Sequence, residues 1–94
     1  MDIRKLKLDL TVALMNDYGG DILGMARDLM ENHESQVGRF LDMRLVNQAA
    51  LDQDHEQVLY SMEFERLSLD MQLISNMSTN DQTLNTFWFR QSAA

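Results

Sequence analysis

The chain has 94 residues, a length that suits one small domain in which about two thirds of the unfolded surface becomes buried. It contains no Cys, which excludes a disulfide framework and any Cys-ligated zinc or iron–sulfur site. Eight Lys and Arg against 15 Asp and Glu give a net charge of −7, so a nucleic-acid backbone would be repelled and a basic protein attracted.

The N-terminal stretch "MDIRKLKLDL" lacks the unbroken apolar segment of a secretory signal. No apolar run approaches the ~20 residues that a membrane span requires. We therefore predict a single domain over residues 1–94, in a protein that is cytoplasmic or exported without a cleaved signal.

The composition favours helices. Pro is absent, Leu and Met are abundant, and the β-branched residues Val and Ile together number seven. The predicted fold class is all-α, as a helical hairpin or a small three-helix bundle with a short C-terminal helical turn.

The first predicted helix runs from about Asp2 to Asp17 and ends at Gly19 and Gly20, which supply a C-cap and a hinge. Its apolar residues recur at helical spacing, at Ile3, Leu6, Leu10, Ala13 and Leu14. The stretch "KLKLDLTV" also alternates apolar and polar residues, which is typical of a strand, so a short strand over residues 5–13 remains the alternative.

A second helix is predicted to begin after the N-cap residue Asp21 and to run to about Asn47, despite Gly24 and Gly38. One face of this long helix would carry Ile22, Ala26, Leu29, His33, Val37 and Phe40.

The third predicted helix begins at Asp52 or Asp54 and reaches about Met77. Its segment "YSMEFERLSLDMQLISNM" alternates like a strand over part of its length. However, one sheet face would need a bulge at Glu65 and Arg66 to hold all of its apolar residues, whereas a helix needs none.

As a helix, this segment has two apolar seams. The first is formed by Tyr60, Phe64, Leu67, Met71 and Ile74, and the second by Met62, Leu69, Leu73 and Met77. The first seam would pack on the long second helix. The second seam would pack either on the first helix, completing a three-helix bundle, or on another polypeptide. Eight Met residues favour the second alternative, since Met serves adaptable binding surfaces.

The C-terminal stretch "TFWFRQ" follows Leu84 and suggests a last short turn of helix. Three consecutive aromatic residues cannot all point inward, and aromatic residues beside an Arg are typical interface anchors. The predicted partner-binding residues are therefore Met62, Leu69, Leu73, Met77, Phe87, Trp88 and Phe89.

Sites for chemistry are sparse. His33 and His55 each precede a Glu, but neither has a His or Cys partner at ligand spacing. The stretch "DQDHEQVLYSME" places acidic residues at positions 1, 3, 5 and 12 of a calcium loop, although Gln57 occupies the position that requires Gly. Signatures of nucleotide-binding and hydrolytic enzymes are missing. We predict no catalytic residue, no metal, no cofactor and no enzymatic activity.

The residues from about Leu59 to Gln91, including "SLDMQLISNM", resemble the C-terminal helical part of small type III secretion subunits of the inner-rod and rod-base class. The resemblance covers a third of the chain and departs from the family at Phe87, Trp88 and Phe89, where aliphatic residues are more typical. It implies a non-enzymatic subunit that polymerises through helical packing. Small acidic chaperones of the same secretion systems share the size and charge.

The leading functional hypothesis is a non-enzymatic helical subunit that binds another protein or copies of itself, as a homo- or hetero-oligomer. The alternative is a small acidic chaperone or inhibitor that covers a partner's surface.

Overall fold

A computed structural model of the chain describes residues 3–15 and 21–91. These residues form helices followed by an antiparallel sheet of four strands. The elements in chain order are α1 Arg4–Met15, α2 Ile22–Glu31, α3 Glu34–Val37, β1 Phe40–Ala50, β2 His55–Phe64, β3 Leu67–Asn76 and β4 Asp81–Gln91. The prediction of an all-α helical bundle is therefore wrong, because about half of the described residues form the strands of an antiparallel sheet.

Helix α1 confirms the first predicted helix and rules out the strand alternative for residues 5–13. Leu6 and Leu10, one helical turn apart, are fully buried, whereas Leu8 and Val12 on the opposite side are exposed. A strand would have placed all four on one face. The predicted C-cap at residues 19–20 lies outside the described residues.

Helix α2 begins as predicted. The side chain of Asp21 accepts a hydrogen bond from the Gly24 N–H at 2.9 Å, which satisfies one of the unpaired donors of the first turn. The predicted continuation to Asn47 is wrong, since α2 ends at Glu31. Gly38 has φ 87°, a backbone conformation outside the helical region that L side chains rarely adopt, and it separates α3 from β1.

The sheet is a meander in which each strand pairs with the next, so β1 and β4 are its edges. Short loops of residues 51–54, 65–66 and 77–80 join the strands. The predicted third helix and the final helical turn are both wrong, because their residues form β2, β3 and β4. Glu65 and Arg66, where a single strand would have needed a bulge, form the two-residue hairpin loop between β2 and β3.

One face of the sheet packs against the helices and forms the core. Tyr60 pairs with Met71 and Met62 with Leu69, so residues of the two predicted seams lie side by side on this face. The buried apolar residues of the core are Leu6, Leu10, Leu14, Ile22, Ala26, Met30, Val37, Val58, Met62, Phe64, Leu67, Leu69, Met71 and Leu73.

The opposite face of the sheet is polar. At its centre Ser61 pairs with Asp70 across β2 and β3, and both residues are buried. Arg90 of β4 covers them, because its guanidinium donates to the Asp70 carboxylate and, over 3.0 Å, to the Ser61 hydroxyl. A buried carboxylate is stable in the fold only when it is paired in this way.

Candidate functional site

Three of the predicted partner-binding residues lie inside the chain's own core. Met62, Leu69 and Leu73 are each fully buried between the sheet and the helices. In this fold they contact other residues of the same chain, so their side chains are not accessible to a second protein.

The other four lie at different places. Phe87 and Phe89 are partly buried against the core, with their rings 6.0 Å apart in an edge-to-face arrangement. Trp88 points to the opposite, polar face, where 38% of it is exposed. Met77 is exposed in the loop between β3 and β4. The structure therefore does not bring the seven predicted residues together into one surface.

A different surface is formed by strand β1. Ten of its 11 residues are exposed, and its outer edge has no strand partner in the described part of the chain. Four exposed apolar side chains lie along it: Leu41, Met43, Leu45 and Val46. We call these four residues the β1 apolar row.

The β1 apolar row is exposed because the helices do not extend over it. Met43 pairs with Met62, and Leu45 pairs with Tyr60, so both lie on the sheet face that carries the core. Met62 on the neighbouring strand is fully buried, whereas Met43 is 40% exposed and Leu45 is 49% exposed. The helical layer thus ends near β2, and the apolar face of the sheet continues beyond it.

At the other edge of the sheet, the core-side apolar residues are better covered than those of β1. Strand β4 also lacks an outer partner among the described residues, but its core-side residues Leu84, Phe87 and Phe89 pack against the core. An edge strand with unpaired backbone groups and exposed apolar side chains is a template for pairing with another strand. Of the two edges in the described sheet, β4 exposes one large apolar side chain, Trp88, whereas β1 exposes four.

Strand β1 is not regular along its whole length. Its pairing with β2 shifts between Phe40 and Asp42 and again between Leu45 and Asn47. The stretch 42–45 between these irregularities pairs with β2 without a break. Within it, Arg44 donates to the Glu63 carboxylate at 2.8 Å, and Asp42 accepts from the Met43 N–H at 2.8 Å.

The two His residues each contact one carboxylate. His33 Nε2 lies 3.2 Å from Asp9 Oδ2, which links α1 to the end of α2. His55 Nδ1 lies 2.9 Å from Asp52 Oδ1 within the β1–β2 loop. No group of three or more His, Asp or Glu residues in the described ranges is arranged to hold a metal ion.

The acidic residues of the stretch 52–63, which was compared with a calcium loop, each bind a different group. Asp52 Oδ1 accepts from the backbone N–H groups of Asp54 and His55, which shapes the loop. Asp54 Oδ1 accepts from the Ser78 hydroxyl at 3.0 Å, and Glu56 accepts from Gln48 at 2.6 Å. The hydrogen bonds with His55 and the loop backbone lower the pKa of Asp52. These contacts describe a hairpin loop and its flanks rather than a converging ligand set.

A cavity of about 200 Å³ opens where α1 meets the ends of β3 and β4. It is lined by Ile3, Arg66, Leu67, Phe89, Arg90 and Gln91. Guanidinium groups stay protonated and provide no general base, and the remaining lining is apolar or an amide. The cavity is also smaller than the pockets that usually hold small molecules.

Comparison with known proteins found no matching family model, no matching curated protein and no matching solved structure. Within residues 3–15 and 21–91, no helix combines the length and apolar character needed to cross a membrane.

Sequence reasoning missed β1 although its signal was present. In "LDMRL", Leu41, Met43 and Leu45 alternate with Asp42 and Arg44, which is the two-residue period of a strand. The apolar residues before this stretch recur at helical spacing, so the sequence predicts that it continues the long helix.

Proposed function

We propose that the chain is a non-enzymatic protein-interaction subunit that binds an extended segment of another polypeptide along the edge of β1. Such a segment would add a strand to the sheet through backbone hydrogen bonds, while its apolar side chains would cover the β1 apolar row.

The observation that carries this proposal is the combination of an unpaired edge with exposed apolar side chains. Natural sheets usually protect their edges with short strands, charges or covering segments. Strand β1 has 11 residues, and at about 3.3 Å per residue it offers an edge roughly 35 Å long. Exposed apolar groups on this scale are typical of binding sites.

The non-enzymatic part of the proposal is supported by the distribution of reactive groups. Among the described residues, the His side chains are each engaged by a carboxylate on a different part of the surface. Neither lies in the cavity near Arg66 and Arg90. Neither His therefore supplies a base to that cavity, as acid–base catalysis there would require.

Selection of peptides from a phage-displayed random library tests the proposal. The chain is immobilised sparsely, so that neighbouring copies do not compete, and is compared with Leu45→Lys and Leu8→Lys. Leu8 is an exposed Leu on α1, so its substitution is the matched control. Wild type and Leu8→Lys should enrich the same apolar sequences, and Leu45→Lys should lose them. Equal enrichment by both variants, or none by wild type, would contradict the proposal.

A second candidate function is a small acidic chaperone or inhibitor that covers a basic partner. The net charge of −7 favours it, since charge of one sign attracts partners of the other. A 1:1 complex that weakens steeply as salt rises, and that Leu45→Lys leaves intact, would support this candidate instead.

The resemblance to type III secretion subunits remains a prediction that no comparison tests. It was based on a helix in residues 59–91, and those residues lie in β2, β3, β4 and their loops. The proposed function does not depend on it.

A further inference from the structure

We propose that the strand that pairs with β1 is β1 of a second copy of the chain, in an antiparallel register centred on Met43. This inference rests on the proposed function, because it names the occupant of the same edge. Two copies would then form one continuous sheet of eight strands.

The residues of β1 support self-pairing. A two-fold interface must be self-complementary, because the same residues lie on both sides of it. With Met43 opposite its own copy, Leu41 lies opposite Leu45 and Phe40 lies opposite Val46 of the second copy. Asp42 lies opposite Arg44 of the second copy, and the reverse pair also forms. Within the regular stretch 42–45, Met43 then faces its own copy and each charge faces the opposite charge. The apolar pairs Leu41–Leu45 and Phe40–Val46 extend this pattern into the irregular ends of β1.

Neighbouring registers lack this property. Centring the pair on Asp42 or on Arg44 would place like charges directly opposite each other, which is destabilising. Centring it on Leu45 would place Met43 opposite Asn47. A register centred between two residues would place side chains from opposite faces of the sheet directly opposite each other. Two-fold antiparallel pairing does not allow this. The sequence of β1 therefore selects one register.

The structure explains what this pairing would bury. The two-fold axis of antiparallel self-pairing is perpendicular to the sheet, so both helical layers lie on the same side. Met43 and Leu45 are on that side and are not covered by their own helices. In the pair, these side chains from both copies would contact each other in the groove between the two helical layers. The regular stretch 42–45 would supply the central backbone pairing, in place of the local hydrogen bond from the Met43 N–H to the Asp42 carboxylate.

The expected affinity is modest. The β1 apolar row exposes on the order of 300 Å² per copy, so the interface would lie toward the small end of the range for specific complexes. Two copies together carry −14, twice the net charge of one chain, which opposes association at low salt. At physiological salt the screening length is about 8 Å, and this long-range repulsion is largely removed. We therefore expect a dimer with a micromolar Kd at physiological salt, monomeric when dilute.

Single cysteines test the register, because the chain has no Cys of its own. Met43→Cys places two thiols opposite each other in the proposed pair. The matched control Gln48→Cys lies on the same strand and the same face, yet its copies would be about 33 Å apart. Under mild oxidation at about 100 µM, we expect Met43→Cys to form a disulfide-linked dimer at least tenfold faster. Equal rates at the two positions would overturn the proposed register.

Charge reversal provides a second test, by sedimentation equilibrium of folded variants. Asp42→Arg and Arg44→Asp should each weaken the dimer at least tenfold, because each places like charges opposite one another twice. The double variant should regain most of the wild-type affinity. Arg44→Asp also removes the contact with Glu63, and an Arg at position 42 can restore that contact in the double variant because position 42 pairs with Glu63. An equimolar mixture of the two single variants separates the explanations, since only pairing between copies predicts that the mixture associates at least tenfold more tightly than either variant alone. A double variant as weak as the single ones would overturn the inference.

The two proposals fail in different ways. A wild-type chain that stays monomeric at several hundred micromolar, but selects peptides that Leu45→Lys does not, would refute self-pairing and leave the proposed function standing. A monomer that selects no peptides would refute both.

Discussion

The guanidinium of Arg90 and the carboxylate of Asp70 form a two-bond ion pair on the sheet face opposite the helices. Arg90 Nε donates to Asp70 Oδ2, and Arg90 Nη2 donates to Oδ1 at 3.1 Å. Asp70 is 5% exposed, and it lies beside the fully buried Ser61. Burial raises the pKa of Asp70, but the hydrogen bonds from Arg90 and Ser61 lower it by more, so the net pKa lies below its ordinary value.

This pair makes stability depend on pH in a defined direction. Because the pKa of Asp70 is lower in the folded state, its contribution is complete above the unfolded value of about 3.9 and disappears as the pH falls through the folded value. We expect Asp70→Asn to lower the free energy of unfolding at pH 7 by about 1.5 kcal/mol. This value is at the lower end of the free energies that hydrogen bonds to charged groups contribute, because Arg90 is half exposed.

Urea denaturation at pH 7 and at pH 2.5 measures the effect. The difference between wild type and Asp70→Asn should shrink at the lower pH, because pH 2.5 lies below the unfolded pKa of about 3.9 and the stabilising contribution of the charge is lost as the pH falls further. Asp28→Asn, on the exposed surface of α2, is the control and should change stability little at either pH. A gap between wild type and Asp70→Asn that is the same at both pH values would show that the charge of Asp70 does not stabilise the fold.

The single Trp of the chain reports on the same pair. Trp88 pairs with Asp70 across β3 and β4, and its side chain is one of the groups that lower the pKa of Asp70. We expect the fluorescence of the folded protein to change as the pH falls below about 4, with the midpoint at the lowered pKa of Asp70. In Asp70→Asn this transition should be absent. An unchanged transition in that variant would assign it to another carboxylate.

Gly38 is expected to be intolerant of a side chain. A Cβ at this position would lie 2.5 Å from the Cβ of Glu65 in the β2–β3 loop, and the φ of 87° is strained for any L residue. We expect Gly38→Ala to lower the free energy of unfolding by about 1–3 kcal/mol. Thermal or urea denaturation measures it.

The neighbouring Ser35→Ala on α3 is the control for Gly38→Ala, and a change within about 0.5 kcal/mol is expected there. If Gly38→Ala were equally mild, the α3–β1 connection would be able to move away from the β2–β3 loop. Two backbone hydrogen bonds hold that loop. The Glu65 N–H donates to the Arg39 carbonyl, and the Arg66 N–H donates to the Val37 carbonyl.

Two Leu→Asp substitutions separate the core from the candidate surface. Leu69 is fully buried, so Leu69→Asp places a carboxylate without a partner in the core at a penalty of several kcal/mol, comparable to the total stability of a small domain. Leu45→Asp places the same group at a position that is 49% exposed, and the fold should persist. NMR amide spectra should be collapsed for the first variant and dispersed for the second. A dispersed spectrum for Leu69→Asp would contradict the described core.

Local sequence patterns predict part of the fold. The first helix and the cap at Asp21 follow from residues close in sequence, since helical spacing and capping act within a few residues. The sequence does not predict the candidate surface, because the predicted partner-binding residues depend on helices that do not form. Of the seven, Met62, Leu69 and Leu73 are core residues.

Composition and local spacing establish the acidic charge, helix α1 and the apolar character of residues 60–73. The pairing of strands establishes the meaning of the phase change between Phe64 and Leu67. Apolar residues occupy even positions before it and odd positions after it, which in the sequence alone argues against a sheet. In a hairpin with a two-residue loop, Phe64 and Leu67 lie at the facing ends of β2 and β3 and point to the same side, so the change of phase keeps one apolar face. Local spacing does not distinguish this turn from a helix, because only pairing between strands distant in sequence makes the two apolar sets one surface.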